Sequence, residues 1–458
     1  MIICLLLLAF GLAKATLVAD QASNFPTSPE ASLQFGCGEA CQAALAQGNA
    51  EDLEIFGTHF DFDFYATAMN FTGSKPGDIL KVKPINSSII DVPSGVAVYK
   101  IQYTSVDLDN SLVPATGFVA FPFVRSQEPL KLVAYAHGTS GVFRGCAPST
   151  SPKLFDYQSW QPLLLAGYAV VATDYAGLGN NYTAHKYVAS AANADDTFWS
   201  VAAAHNAFPN TLSKEWVSIG HSQGGGTVWK LSEHEAVNVQ GSGYLGGISV
   251  APVTKLYDML VAGLGPIQQA MNQGIDLSGE DFLGLGVLPS AISGIQAVFP
   301  GYEAPWASKA LMQRIELARI GQLCDSAISR SAIDLRTDAI TNVSVTSDQT
   351  LLEFQKINAP AQGSKASQPL LLILGSEDAI VSEQSAAATF ASSCNFSNPI
   401  HMSVYPGLDH TAVLTASSPE WLTFISDRFA GKSLLQKCSN FTMAPFDLEH
   451  AKKPLDSY

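Results

Sequence analysis

Residues 216–226 read WVSIGHSQGGG, and this stretch decides how the rest of the chain is read. Inside it, Gly220-His221-Ser222-Gln223-Gly224 is a G-x-S-x-G string. A short apolar run, residues 216–219, comes before it, and a helix-like stretch, residues 225–238, comes after. Strand before and helix after is the context in which this string holds a nucleophilic serine. The reason is steric. The chain must turn so sharply that side chains flanking the serine collide, and Gly220 and Gly224 remove them. The turn lifts the Ser222 hydroxyl clear of the sheet at a helix N-terminus. There the backbone N–H of Gln223 can face a developing oxyanion.

Outward from this turn, residues 96–107 (VAVYKIQYTSVD) alternate apolar and polar, as a half-exposed strand does, and residues 112–121 can pair with them. The runs 132–136 (LVAYA), 169–173 (AVVAT), 216–219 (WVSI) and 370–374 (LLLIL) are short and continuously apolar. Buried parallel strands read this way. Helix-like stretches at 183–207 and 225–238 lie between them. The expected fold class is therefore α/β with a mostly parallel sheet, its site beyond the carboxyl ends of the strands. Residues 253–365 break the rhythm with two GLG pieces and helical fragments. They read as a helical cap inserted between core strands. The expected division is a signal segment 1–19, a first part of the core 20–252, the cap or lid 253–365, and a second part of the core with a C-terminal tail 366–458. Residues 20–50 are small and polar and are expected to wrap the surface.

A nucleophilic serine needs a base, and the base needs an acid to orient it. With a serine turn of this kind the chain order is Ser, acid, His. Of the histidines after Ser222, His234 falls in the following helix, His401 in a strand and His450 in the polar tail. His410 falls in the loop of 405–413 (YPGLDHTAV), just after strand 401–405, where the base belongs. Residues 370–381 (LLLILGSEDAIV) carry a buried strand into a turn with Glu377 and Asp378 at its mouth. Asp378 is favoured as the acid, Glu377 is the alternative, and Asp409 is a weaker rival because sequence neighbours rarely aim at each other. A second oxyanion donor is expected after strand 132–136, where residues 132–141 read LVAYAHGTSG, from the N–H of Gly138 or Thr139.

The chain's beginning, residues 2–13 (IICLLLLAFGLA), is apolar and too short to span a bilayer. It reads as a secretory signal with cleavage near Ala15 or Ala19. Six N-x-S/T sequons, at Asn70, Asn86, Asn181, Asn342, Asn395 and Asn440, suit a glycosylated extracellular surface. With Cys4 in the signal, Cys37, Cys41, Cys146, Cys324, Cys394 and Cys438 remain, an even number that suggests three disulfides. No paired-cysteine zinc motif is present, and neither metal nor cofactor is expected. The net charge of −15 argues against nucleic acid as a partner and against charge-driven docking on anionic lipid.

Several motifs in order, AHGTSG, then CAPS (146–149), then GYAVVATDYAGLG (167–179), then GHSQGGG, resemble the fungal and bacterial secretory lipases, the group around yeast lipase A. The likeness spans roughly residues 70–430. It implies an α/β-hydrolase core, a large helical cap and no cofactor, and it places the triad on Ser222, Asp378 and His410. It also implies a disulfide Cys146–Cys324 tying the loop after the oxyanion strand to the cap, and a second, Cys394–Cys438, near the C-terminus. Cys37 and Cys41 are then left to pair locally.

The resemblance leaves the substrate open. The leading expectation is a secreted serine ester hydrolase that cleaves acyl-glycerol esters, with a lipid–water interface as the candidate place of action. The alternative is an esterase that deacetylates a small metabolite such as a trichothecene-type ester. A peptidase, or a non-catalytic binding protein, would be the other outcomes. The oligomeric state is not legible in the sequence.

Overall fold

A computed structural model describes residues 20–451, except 125–126, 156–158, 276–285, 337–342 and 435. The expected signal segment, Asn342 and residues 452–458 lie outside the described residues. The strands are β1 (Ile79–Pro84), β2 (Ala97–Val106), β3 (Leu112–Phe121), β4 (Leu130–Ala136), β5 (Ala169–Thr173), β6 (Leu212–His221), β7 (Tyr244–Val250), β8 (Leu370–Gly375), β9 (Ile400–Tyr405) and β10 (Cys438–Thr442). They form one sheet in the order β1-β2-β3-β5-β4-β6-β7-β8-β9-β10. From β5 to β10 the pairings are parallel, whereas β1, β2, β3 and β5 pair antiparallel. The fold is thus α/β with a mostly parallel sheet.

The continuous apolar runs follow from burial on both faces. Successive side chains of a strand point to opposite faces. Val133, Tyr135, Val170, Ala172, Val217 and Ile219 pack on one side with Leu163, Trp421 and Ile425 from the helices Gln161–Leu165 and Ser418–Phe429. Leu132, Ala134, Ala169, Val171 and Trp216 pack on the other with Ala194, Val201 and Leu231 from the helices Ser190–Ala207 and Gln223–Ser232. Either helix is shorter than the sequence suggested. The second stops at Ser232, and His234 instead caps a short 3-10 turn, Glu235–Val237, and pairs with Asp195 at 3.2 Å.

Between β7 and β8 the chain runs through the helices Leu256–Asn272, Leu288–Val298, Lys309–Gly321, Asp325–Arg330 and Gln349–Asn358. They share a core of their own that includes Ile292, Trp306, Leu311, Ile328 and Phe354. The helix Glu39–Phe56 joins that core through Cys41 and Leu45, so residues 20–50 do not merely wrap the surface. Its buried positions are Cys41, Leu45, Gly48, Asp52 and Phe56, an i, i+4, i+7, i+11, i+15 stripe. Gly48 and Asp52 interrupt its apolar character, which hides it from a hydrophobicity reading. Gly48 allows the close approach, since a Cβ there would lie 2.6 Å from the Ser326 carbonyl oxygen. Asp52 accepts hydrogen bonds from the N–H groups of Ser326 and Ala327, each at 3.0 Å. Disulfides join Cys37 to Cys41, Cys146 to Cys324 and Cys394 to Cys438.

The link from β6 into the next helix is where the fold sets up chemistry. Ser222 lies there with φ +56° and ψ −117°, a conformation that costs a non-glycine residue about 1–3 kcal/mol. Its N–H donates to the Val250 carbonyl at 2.9 Å, and its own carbonyl accepts from Gly226 and Val253. A Cβ on Gly220 would sit 2.2 Å from the Gly224 carbonyl oxygen, and one on Gly224 would sit 1.9 Å from that of Ala136. Both contacts are with backbone and cannot relax. Gly224→Ala is therefore expected to cost on the order of 2–3 kcal/mol, read as a lowered urea midpoint; an unchanged midpoint would contradict the steric account. Replacing Cys146 and Cys324 together by Ser, which opens a loop of 178 residues, is expected to cost about 2–5 kcal/mol in the same measurement.

Candidate functional site

The carboxyl ends of the parallel strands deliver the residues singled out by sequence to one place. Ser222 follows β6, Gly138 and Thr139 follow β4, and His410 stands beyond β9. Together with His221, Val287, Asp325 and Ile380 they line a cavity of about 30 Å³. Gly138 comes so close that a Cβ on it would lie 3.5 Å from the Cβ of Ser222. Gln223 opens the helix after the turn, where backbone N–H groups have no partner within the helix. Wider surface clefts line the opposite, amino ends of the strands, around Leu212, Leu245 and Pro369.

Asp378 is held rigidly. Its Oδ1 accepts the N–H groups of Ile380 at 2.9 Å and Val381 at 2.8 Å, and its Oδ2 accepts from His410 Nδ1 at 2.7 Å. Both side chains are almost wholly buried, at 3% and 6% exposure. With the proton on Nδ1, the lone pair of His410 is on Nε2, the arrangement a base requires. The other two carboxylates are placed differently. Glu377 is exposed, and Asp409 Oδ1 accepts from the N–H groups of Thr411 and Ala412 at 3.0 and 2.7 Å. His401 bonds Ser439 from within β9, and His450 pairs with Asp447 on the surface.

Residues that the sequence reading passed over complete the site. The His221 ring lies against that of His410, with centroids 4.7 Å apart, and its Nε2–H donates to the His410 carbonyl at 2.8 Å. Burial, reinforced by the His410 ring, pushes His221 down to about 3, so it is neutral and props the His410 loop by a hydrogen bond. His185 is likewise pushed down to about 3 by burial and contacts Gln223 through Nε2 at 3.1 Å. His137, pushed down to about 4 by burial, is walled in between backbone carbonyls of Gly138 and Asp174. Thr139 Oγ1 shares a hydrogen bond with the Tyr187 hydroxyl at 2.7 Å. Asp325, neighbour to Cys324, lines the cavity as well. A signal for it was present: a Cys146–Cys324 bridge draws residue 325 toward the loop after β4.

Among the described residues no group of His, Cys, Asp and Glu could hold a metal ion, and no helix is long and apolar enough to cross a membrane.

The family described as secretory lipase matches residues 147–437, well over half of the chain. Lipase 6 of Candida albicans is 23% identical over 405 residues, covering 83% of this chain and 84% of that one. A secreted triacylglycerol lipase of Malassezia globosa is 24% identical over 410 residues, covering 83% and 81%. Among solved structures, closed Candida antarctica lipase A superposes with a TM-score of 0.64 at 18% identity, covering 82% of this chain and 87% of that one. The rice cell wall degrading esterase LipA of Xanthomonas oryzae superposes with a TM-score of 0.56 at 17% identity, covering 78% and 99%. The chain belongs to the secretory lipase family and is a serine ester hydrolase.

Proposed function

We propose that this chain is a secreted lipase that cleaves acyl-glycerol esters through an acyl-enzyme on Ser222. The observation that carries the reading is that Ser222, on its strained turn, shares one cavity with His410, whose Nδ1 the fixed carboxylate of Asp378 accepts at 2.7 Å. Ser222 Oγ attacks the ester carbonyl while His410 Nε2 takes its proton. Asp378 holds the ring tautomer and stabilises the imidazolium. The N–H groups of Gln223 and of Gly138 or Thr139 stabilise the tetrahedral oxyanion. His410 then protonates the leaving alcohol, and a water repeats the cycle on the acyl-enzyme.

The cavity holds about 30 Å³, room for a water or two and not for an ester. Val287 and Asp325, from the segment between β7 and β8, form part of the wall of this cavity. The helices from 256 to 358 act as the cap in this reading, with residues 20–56 fastened to it. Secretion is supported by the three disulfides and by the exposure of Asn70, Asn86, Asn181, Asn395 and Asn440.

Ser222→Ala is expected to lower kcat on p-nitrophenyl butyrate by about 10⁴–10⁶-fold. Asp378→Asn is expected to lower it by about 10⁴-fold through the wrong tautomer. Near-normal turnover in either would remove that residue from the triad. Across nitrophenyl esters of rising chain length, together with an emulsified triglyceride, activity is expected to extend to long chains and to the emulsion. Activity confined to acetyl esters would favour the metabolite-deacetylating reading instead.

A further inference from the structure

The mechanism above leaves one polar group of the cavity unused. Asp325 begins the helix Asp325–Arg330, and its N–H donates to the Ser140 carbonyl at 3.3 Å. The adjacent Cys324 is bonded to Cys146 and forms a β-bridge with Gly141. Asp325 is thus tied from two sides to the loop that carries Gly138 and Thr139. Asp325 is half-buried and lines the cavity, and its Oδ1 accepts no hydrogen bond. A buried carboxyl oxygen without a partner is costly, and native structures rarely keep one without a use.

The groups around it narrow that use. Burial pushes the Asp325 carboxyl up to about 7, while His410 opposes the rise and favours the ionised form. Asp52, on the helix Glu39–Phe56, is a second buried carboxyl nearby, and burial pushes it up to about 8, so it stays protonated at neutral pH. His221, neutral, is the other titratable group in the cavity wall. Asp325 is not needed to orient His410, because Asp378 already does so. What it lacks is a donor, and the occupant of this cavity is the substrate. Its electrostatic neighbour is His410, the group that protonates the departing alcohol, so the alcohol half of the ester is the half within its reach.

We propose that Asp325 is a specificity-determining residue that accepts a hydrogen bond from a free hydroxyl on the alcohol half of the ester, so that the enzyme prefers partial esters of polyols to esters of simple alkanols. This rests on the reading of Ser222 as nucleophile. A site built to bond a substrate hydroxyl discriminates strongly against the analogue that lacks it, because its own polar group is then left unpaired.

The test compares kcat/KM for 2-hydroxyethyl butyrate and ethyl butyrate, which share the acyl group, in the wild type, Asp325→Asn and Asp325→Leu. The ratio cancels whatever either substitution does to the shared triad. The wild type is expected to favour the hydroxyl-bearing ester by about tenfold or more. Asp325→Leu is expected to bring the ratio to about one, and Asp325→Asn, which keeps shape but replaces a charge-assisted bond by a neutral one, to lower it several-fold. A wild-type ratio near one overturns the proposal without any variant. An unchanged ratio in Asp325→Asn overturns it even where Asp325→Leu does not fold. A hydroxyl preference found on ethyl 3-hydroxybutyrate instead overturns the assignment to the alcohol half. Failure of the underlying reading looks different: both esters would turn over undiminished in Ser222→Ala.

Discussion

The molecule depends on a place where no side chain fits. Gly224, in the first turn of the helix after β6, lies so close to the end of β4 that a Cβ there would meet the Ala136 carbonyl oxygen at 1.9 Å and that of His137 at 2.7 Å. The residues that follow are Gly138 and Thr139. That close contact sets how far Ser222 stands from the loop that faces it. Ser222 and the loop of Gly138 and Thr139 are positioned by backbone packed on backbone, which has less freedom than any side-chain contact. The strain at Ser222 is held in place by its hydrogen bonds to β7 and to the residues beyond it.

Around that turn the fold has packed three buried histidine rings. His137, His185 and His221 are each pushed far down by burial, so they pack as neutral hydrogen-bonding rings. The carboxylate of Asp378 stands among them, satisfied by two N–H groups and by His410. In such surroundings a fixed charge acts on its neighbour with little screening. The imidazolium that forms during acyl transfer is stabilised most by the one carboxylate already aimed at it. The helices between β7 and β8 close this site, and the Cys146–Cys324 bond fastens them to the β4 loop.

The parts of this arrangement that were legible in the sequence are those governed by local rules. The serine turn shows itself because glycine is forced at fixed positions. The core strands show themselves because burial on both faces demands unbroken apolar runs. Asp378 could be named because it lies just past such a run, and His410 because it lies in the loop after strand 401–405. The strands that went unread are of another kind. β7 (YLGGISV) has two glycines at its centre, one of which would strike the Tyr244 hydroxyl if it carried a Cβ, and β10 (CSNFT) is a polar edge held by a disulfide. The helix Glu39–Phe56 went unread because Gly48 and Asp52 interrupt its buried stripe. His221 acquires meaning only from His410, 189 residues away, through a hydrogen bond, and Asp325 only from its neighbour Cys324, which is bonded to Cys146 across 178 residues.

The most direct test of the account is to react the folded protein with a fluorophosphonate and map the adduct by peptide mass spectrometry. The account predicts one adduct per chain, on Ser222, formed in step with loss of esterase activity. An inactivated protein with its adduct on any other residue would contradict it.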